Sequence, residues 1–177
     1  LFSFNGQYLA EENLIPGTGY WIRITEDGNI TISGSAIIDL PIPLMEGWNL
    51  ISGISSTIEM ENIIDPSNII IDGTLYGYNS SYVSSDNLAP GSGYWLRTNV
   101  GGEVSLTNGA SSKISPKDIS LRGQANSFTI NGTEFYFGIE FFDGEIFNYS
   151  LPPKPPSGAF DIRFLGNSKI CLTDECF

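Results

Sequence analysis

The hexapeptide PGTGYW at residues 16–21 returns as PGSGYW at residues 90–95. At a constant offset of 74 positions, residues 1–34 align with residues 75–108 without a gap, and 12 of the paired residues are identical. A site that performs chemistry needs one copy, whereas a fold built from stacked units needs the same corner in every unit. The repeated phrase therefore predicts a duplicated structural unit.

The phrase has the chemistry of a turn that leads into a strand. Proline followed by glycine favours a type II turn, because proline fixes its own φ and glycine tolerates the positive φ that follows. We expect the second glycine to let another backbone approach closely. On the strand that follows, Tyr20 and Ile22 share one face while Trp21 and Arg23 share the other. The second copy predicts the same alternation.

The aromatic and arginine side chains of the phrase also form a candidate ligand platform. Aromatic rings could stack on a sugar, and arginine could supply directed hydrogen-bond donors. In the alternative interpretation, tryptophan packs in the core with arginine lying across it. The recurrence of these side chains beside an obligatory turn favours the structural interpretation. The candidate platform residues are Tyr20, Trp21, Arg23, Tyr94, Trp95 and Arg97.

Composition and the repeat together predict the fold class. Glycine, proline and aromatic residues are abundant, which favours strands and turns over helices. We predict an all-β protein of two or three small antiparallel modules, sandwich-like or barrel-like, with one short helix. Residues 1–39 form a partial repeat, residues 40–109 a complete repeat, and residues 110–177 a non-repeated β segment. Within the last, residues 152–156 are rich in proline and are predicted to be an extended spacer or edge.

The sequence of the complete repeat and of the segment after it also predicts a helix, a hairpin and individual strands. A short helix is expected after Ser56, which has capping-box spacing to Glu59, and Asp65-Pro66 should end it. Farther along, Asn131-Gly132 predicts a tight hairpin. The predicted strands of the unit are residues 47–54 (GWNLISGI), 68–72 (NIIID), 74–79 (TLYGYN), 82–85 (YVSS), 93–98 (GYWLRT) and 103–108 (EVSLTN).

The charge balance excludes several partners. Acidic residues outnumber basic ones 20 to 8, which gives a formal net charge of −12. Nucleic acids and anionic membrane surfaces bind clusters of lysine and arginine, so we expect neither as a partner. No apolar run approaches the roughly 20 residues that span a bilayer, so we expect no membrane insertion.

The sequence contains no histidine, which excludes a Ser-His-Asp triad, a Cys-His pair and the common zinc sites. A glycoside hydrolase mechanism needs only two carboxylates, and Glu140, Asp143 and Glu145 lie close together in the chain. Because Asp143-Gly144 is typical of a turn, a solvated acidic turn is the favoured interpretation. The sequence thus predicts a protein that is not an enzyme, with a glycosidase as the last alternative.

Two further features concern cross-links and ions. Cys171 and Cys176 are spaced so that a tight loop could close a disulfide, and free thiols or a metal site are the alternatives. A structural calcium ion is also an open alternative, because the turns at residues 26–29 and 142–145 supply oxygen ligands. Neither turn has the alternating aspartates of a dedicated calcium loop. No other cofactor is expected.

Three stretches resemble a known group of secreted proteins. The segments GWNLISGIS (47–55), YGYNSSYVSSDNLAPGSGYWLR (76–97) and PGTGYWIR (16–23) are similar to PGxGYW-type β repeats of secreted and cell-surface proteins of Bacteroidota and related phyla. The segment LPPKPPSGAFDIRF (151–164) resembles the region that precedes a C-terminal sorting domain in cargo of type IX secretion. This resemblance implies export and residence outside the cell, and it implies no reaction.

These observations predict a non-enzymatic, extracellular structural or adhesive β module, part of a surface assembly or filament. Its expected partners are other extracellular proteins or copies of itself. The alternative is a carbohydrate-binding module that holds polysaccharide on its tryptophan and tyrosine side chains. We also expect the chain to open inside a unit, because the segment that precedes the second copy has no counterpart before Leu1.

Overall fold

A computed structural model of the chain describes residues 1–29, 31, 33–109, 121, 125–139 and 146–172. Strands dominate these residues, and their helices are two short 3-10 turns, Met60–Asn62 and Ile146–Tyr149, which confirms the all-β class. The strands are β1 Phe2–Phe4, β2 Tyr8–Ala10, β3 Asp39–Leu44, β4 Gly47–Ser52, β5 Ile58–Glu59, β6 Tyr76–Tyr78, β7 Tyr82–Ser84, β8 Asn87–Leu88, β9 Gly93–Thr98, β10 Gly102–Thr107, β11 Asn126–Ile130, β12 Thr133–Ile139 and β13 Ile170–Leu172.

The central sheet has four antiparallel strands in the order β4-β9-β6-β7. The first phrase extends it at the outer edge of β4, where the N–H of Gly19 donates to the carbonyl of Leu50 at 3.0 Å. The N–H of Ser52 donates back to the carbonyl of Gly17 at 3.0 Å, while Ser52 also faces Gly93 across β9. The end of β4 therefore lies between the two copies of the phrase.

The two faces of the central sheet enter two different cores, as the predicted alternation requires. On one face, Tyr94 and Leu96 join an aliphatic cluster with the inward residues of β3 and β10, which pair with each other and cover this side. On the other face, Leu50 and Trp95 join a cluster dominated by aromatic rings. The faces predicted for β9 are thus confirmed, and β4 alternates in the same way.

The aromatic core draws on all three predicted segments of the chain. Phe4 of the partial repeat contacts Trp95 of the complete repeat edge to face, with ring centroids 4.7 Å apart. Phe135 of the non-repeated segment belongs to the same cluster, with Leu151 beside it. The three segments therefore share one core.

The C-terminal segment contains the predicted hairpin. Asn131 and Gly132 have positive φ angles of 48° and 84°, as a two-residue type I′ turn requires, and they connect β11 to β12. Strand β13 then pairs with β12 in parallel, an exception to the antiparallel pattern elsewhere.

The predicted helix after Ser56 is wrong. Residues Ile58–Glu59 instead form β5, which pairs with β8, and one 3-10 turn follows at Met60–Asn62. Glu59 makes no capping hydrogen bond from its side chain. The cause is burial, because Ile58 and Ile63 both enter the aliphatic core, and an extended backbone lets the two β-branched residues reach it.

The strand predicted at residues 68–72 is also wrong in extent. Ile70 forms a single β-bridge to Thr98, flanked by hydrogen bonds from the N–H of Ile71 to the carbonyl of Arg97 and from the N–H of Asn99 to the carbonyl of Ile69. The carboxylate of Asp65 accepts from the N–H groups of Ile69 and Ile70 at 3.1 and 2.9 Å. This side-chain contact folds the segment into a loop rather than a continuous strand.

Candidate binding groove at the repeated phrases

The two copies of the phrase form the same turn. The N–H of Thr18 donates to the carbonyl of Ile15 at 3.1 Å, and Gly17 has a φ of 84°. In the second copy the N–H of Ser92 donates to the carbonyl of Ala89 at 3.4 Å, and Gly91 has a φ of 74°. Both turns have proline at the first central position and positive φ at the second, as predicted for type II.

A tyrosine hydroxyl closes each turn. The hydroxyl oxygen of Tyr20 accepts from the N–H of Ile15 at 2.9 Å, and that of Tyr94 accepts from the N–H of Ala89 at 3.0 Å. In both copies the tyrosine lies five residues after the first residue of the turn and accepts a hydrogen bond from the N–H of that residue. The sequence named these tyrosines as candidate platform residues and favoured a structural role for the phrase; in the structure their hydroxyls are engaged in the turn.

The second glycine of the first phrase permits a close backbone approach. A Cβ atom on Gly19 would lie 2.4 Å from the carbonyl oxygen of Ile51, a distance that no side chain could occupy. At Gly93 the nearest atom would be the backbone nitrogen of Tyr20 at 3.6 Å, an ordinary contact. Glycine is therefore obligatory at position 19, and the two phrases touch each other at Gly93.

The hairpins that precede the phrases also match. Strands β1 and β2 pair Phe4 with Tyr8, and strands β6 and β7 pair Tyr78 with Tyr82, 74 positions later in each case. Phe2 bridges to Trp21, just as Tyr76 pairs with Trp95. The two stretches of chain therefore share register as well as sequence.

A groove of about 440 Å³ opens between the two phrases and the β6–β7 hairpin. Its floor includes Trp95, which is 2% exposed, and its wall includes the half-buried Trp21, whose ring meets Tyr78 edge to face at 4.7 Å. The described lining residues offer aromatic, amide and hydroxyl groups and no carboxylate or basic side chain. They are Tyr20, Trp21, Ile22, Leu50, Tyr76, Gly77, Tyr78, Asn79, Val83, Ser84, Ser85, Ser92, Gly93, Tyr94 and Trp95.

The two arginines of the candidate platform lie outside this lining. Arg23 is exposed. Arg97 is half-buried, with its guanidinium 4.9 Å from the ring centre of Phe147 and 5.8 Å from that of Trp48, and its Nη1 donates to the hydroxyl of Ser150 at 2.6 Å. Burial lowers the pKa of Arg97 from its ordinary value. Arg97 therefore bridges β9 to the C-terminal segment, and the six platform residues do not form a single surface.

A proline-rich strap, residues 151–156, closes the far side of the aromatic core. The hydroxyl of Tyr82 donates to the carbonyl of Pro153 at 2.6 Å, and that of Tyr8 donates to the carbonyl of Lys154 at 2.8 Å. Tyr8 and Tyr82 are 74 positions apart, so one tyrosine from each copy holds successive carbonyls of the strap. The segment predicted as a spacer or edge packs against the core and forms no strand.

These tyrosine hydroxyls are strongly perturbed. Burial raises the pKa of Tyr8 to about 12 and raises that of Tyr82 further. Burial also raises the pKa of Tyr78, whose hydroxyl donates to the carbonyl of Phe160 at 3.0 Å. Sequence reasoning missed this cluster, although the 74-residue spacing of Tyr8 and Tyr82 was a visible signal.

An arginine fixes the path of the strap. Arg163 is paired with Asp161, Nε to Oδ2 at 2.8 Å, and its Nη1 donates to the carbonyl of Pro152 at 2.8 Å. The same Nη1 reaches Oδ1 of Asn167 at 3.1 Å. The FDIRF stretch at residues 160–164 is thus the clamp that holds the prolines in place.

The first copy differs from the second in what covers it. Ile22 is 62% exposed, whereas its counterpart Leu96 is fully buried, and Ile24 is 72% exposed where Thr98 is 1% exposed. Among the described residues, the backbone groups of Ile22 and Ile24 have no hydrogen-bond partner, while Leu96 and Thr98 pair with β4. The strand predicted after the first phrase is therefore wrong: residues 22–24 form no strand, and their backbone groups leave an open edge in the first unit.

Other predicted sites fall partly outside the described residues. Glu140, Asp143 and Glu145 lie there, as does the turn at residues 142–145. Cys171 is buried and disulfide-bonded, and its predicted partner Cys176 is outside the described part. Within that part, no group of three or more acidic, cysteine or histidine residues could hold a metal ion. No helix in the described ranges is long or apolar enough to cross a membrane.

Comparison with known proteins gives no relatives: no protein-family model, no curated protein and no solved structure matches the chain.

Proposed function

We propose that this protein is a non-enzymatic structural and adhesive β module of a secreted or surface protein, and that it contributes to an extracellular assembly with other proteins or copies of itself. The observation that carries the proposal is the shared turn. In each copy the tyrosine of the phrase accepts a hydrogen bond from the backbone of the turn, so the repeated tyrosines have a structural role. A repeated corner of this kind is what a series of stacked units requires.

The open edge supports assembly. Apolar side chains such as Ile22 and Ile24 lie exposed at positions that the complete unit buries. Unpaired strand edges are sites where another chain adds a strand, and monomeric proteins usually cover them. The formal net charge of −12 opposes non-specific association between copies, so assembly at this edge depends on specific pairing of backbone groups.

The test is immunolabelling of intact cells of the producing organism with an antibody raised against the chain, with permeabilised cells as the control. We expect labelling of intact cells or of the surrounding medium, and sedimentation of the chain in assemblies larger than one copy. Labelling that requires permeabilisation would overturn the extracellular assignment. A strictly monomeric protein at high concentration would overturn assembly with itself.

The groove favours a second candidate function, polysaccharide binding. Half-buried Trp21 with Tyr20, Asn79 and Ser84 offers a stacking surface beside amide and hydroxyl groups, the combination that sugar rings prefer. Calorimetry with a panel of soluble polysaccharides would test it. Loss of binding in Asn79→Ala with retention in Asn108→Ala, an exposed asparagine outside the groove lining, would support it. Absence of binding across the panel would reject this candidate and leave the structural proposal intact.

A further inference from the structure

The second unit shows what the open edge of the first unit is built to receive. In the second unit, β4 lies along β9 with Asn49 opposite Leu96 and Gly47 opposite Thr98. In the first unit the counterparts of Leu96 and Thr98, 74 positions earlier, are Ile22 and Ile24. No described residue forms these backbone hydrogen bonds with Ile22 or Ile24, and β4 itself borders the first phrase at Gly17–Gly19, on the other edge.

Backbone direction shows which edge is open. Alternate residues of a strand direct their N–H and carbonyl groups to the same side. Gly19 bonds to Leu50, and Trp21 exchanges hydrogen bonds with Phe2, so both direct their backbone groups toward one edge. Ile22 and Ile24 therefore direct theirs toward the opposite edge. Tyr20 lies against Gly93, so we take the free edge to begin at Ile22.

The side chain of Arg23 indicates which residue type the incoming strand should carry opposite it. In the second unit Arg97 lies opposite Trp48, with its guanidinium 5.8 Å from the ring centre. Its counterpart Arg23 is exposed at the open edge. An aromatic residue on an incoming strand would meet Arg23 as Trp48 meets Arg97, in a cation–π contact.

We propose that the edge at Ile22–Ile24 binds an extended segment of another polypeptide that has the pattern of β4, residues 47–52, with an aromatic side chain opposite Arg23. This is addition of a strand to an existing sheet. It deepens the proposed function by naming the kind of partner.

The test uses the full chain and a synthetic peptide with the sequence of residues 38–52. Calorimetry measures binding, and amide hydrogen exchange follows Ile22 and Ile24. We expect binding with new protection of both amides. Peptide methylated on the backbone nitrogen of Asn49, which faces β9 in the second unit, should bind about fivefold more weakly or worse. Peptide methylated at Trp48, whose N–H faces the other way, is the matched control and should bind like the parent.

Variants of the protein give a second matched pair. Ile22→Asp should abolish binding, whereas Leu165→Asp, at a similarly exposed leucine in the C-terminal segment, should leave it unchanged. To detect weak binding, the peptide sequence is also fused ahead of Leu1 through a flexible linker, which raises its effective concentration to the millimolar range. The fusion should raise the midpoint of thermal unfolding, and Ile22→Asp should cancel the rise.

The proposal is overturned if neither the free nor the fused segment protects Ile22 and Ile24. It is also overturned if methylation at Asn49 and at Trp48 weakens binding equally, since pairing in the register of β4 and β9 would then be wrong. Either result leaves the immunolabelling test of the proposed function unaffected. Peptide binding to a protein that is absent from the cell exterior would support the edge and reject the extracellular assignment.

Discussion

At the scale of single residues, identical side chains have different surroundings in the two copies of the phrase. Trp95 is buried in the aromatic core, whereas Trp21 is half-buried at the wall of the groove. Tyr94 and Tyr20 nevertheless close the same turn with the same hydrogen bond. The local turn is therefore encoded by the phrase itself, and burial is set by the strands that neighbour it.

The tyrosine of the second phrase should contribute measurably to stability. In Tyr94→Phe the N–H of Ala89 loses its acceptor while the ring stays packed. We expect the free energy of unfolding to fall by about 1–2 kcal/mol, in the range for a partly buried hydrogen bond. Urea unfolding followed by tryptophan fluorescence measures the change. An unchanged midpoint would mean that the hydroxyl has no structural role and would weaken the interpretation of the phrase as a corner.

Position 19 tests the close approach of the first phrase to β4. Gly19→Ala places a methyl group 2.4 Å from the carbonyl oxygen of Ile51, and backbone must move to relieve the clash. We expect a loss of about 1–3 kcal/mol, as for overpacking elsewhere. Gly28→Ala is the matched control, because a Cβ there has no neighbour within 4 Å. Equal stability of the two variants in urea would contradict the pairing of the first phrase with β4.

At the scale of elements, sequence patterns predicted hairpins and strand faces well. Asn131-Gly132 identified its hairpin because a two-residue turn needs two positive φ angles that few residue pairs adopt. The alternation predicted for β9 was also correct, and the structure shows that its two faces enter different cores. Sequence patterns predict an element correctly where residues within that element determine its conformation.

The patterns failed where distant partners decide the structure. The capping signal at Ser56 predicted a helix, but burial of Ile58 and Ile63 holds that segment extended. Residues 22–24 have the pattern of a strand and form none, because in this chain no described strand lies where β4 lies in the second unit. Strand propensity is largely a property of the neighbours that cover a strand, and a single sequence does not display them.

The proline strap gives a prediction about alkaline pH. Tyr8 has a pKa of about 12 in the folded protein, compared with an ordinary value near 10, because burial disfavours the phenolate. The unfolded chain therefore loses this proton first. The stabilisation is complete below about pH 10 and is lost as the pH rises toward 12.

Absorbance of tyrosinate at alkaline pH and urea unfolding at each pH check this expectation. We expect a late-titrating fraction of tyrosines and a fall in the free energy of unfolding between about pH 10 and 12. In Tyr8→Phe the late fraction should shrink, since that phenol is gone. Titration of every tyrosine near pH 10 in the folded protein would contradict burial of these hydroxyls under the strap.

At the scale of the whole molecule, the sequence divides into a partial repeat, a complete repeat and a non-repeated segment, and it does not show how they associate. The shared aromatic core joins them, since Phe4, Trp95 and Phe135 belong to one cluster. Tyr8 and Tyr82 bind the strap together, so the C-terminal segment also holds the two copies side by side. Segments that folded as separate domains would make neither of these contacts.

This arrangement predicts that the protein unfolds in one cooperative transition. Phe135 is fully buried, stacked on Phe128 and edge to face with Phe164, so Phe135→Ala leaves a cavity in the cluster that also contains Trp95. We expect a loss of about 3–5 kcal/mol, the range for deleting a buried phenylalanine. Because all three tryptophans lie in the repeats, their fluorescence reports a change made in the non-repeated segment only if the segments unfold together.

Leu165→Ala, at an exposed leucine of the same segment, is the control and should leave the midpoint unchanged. A tryptophan transition that is insensitive to Phe135→Ala, with a second transition detected by circular dichroism, would show that the C-terminal segment folds separately from the repeats.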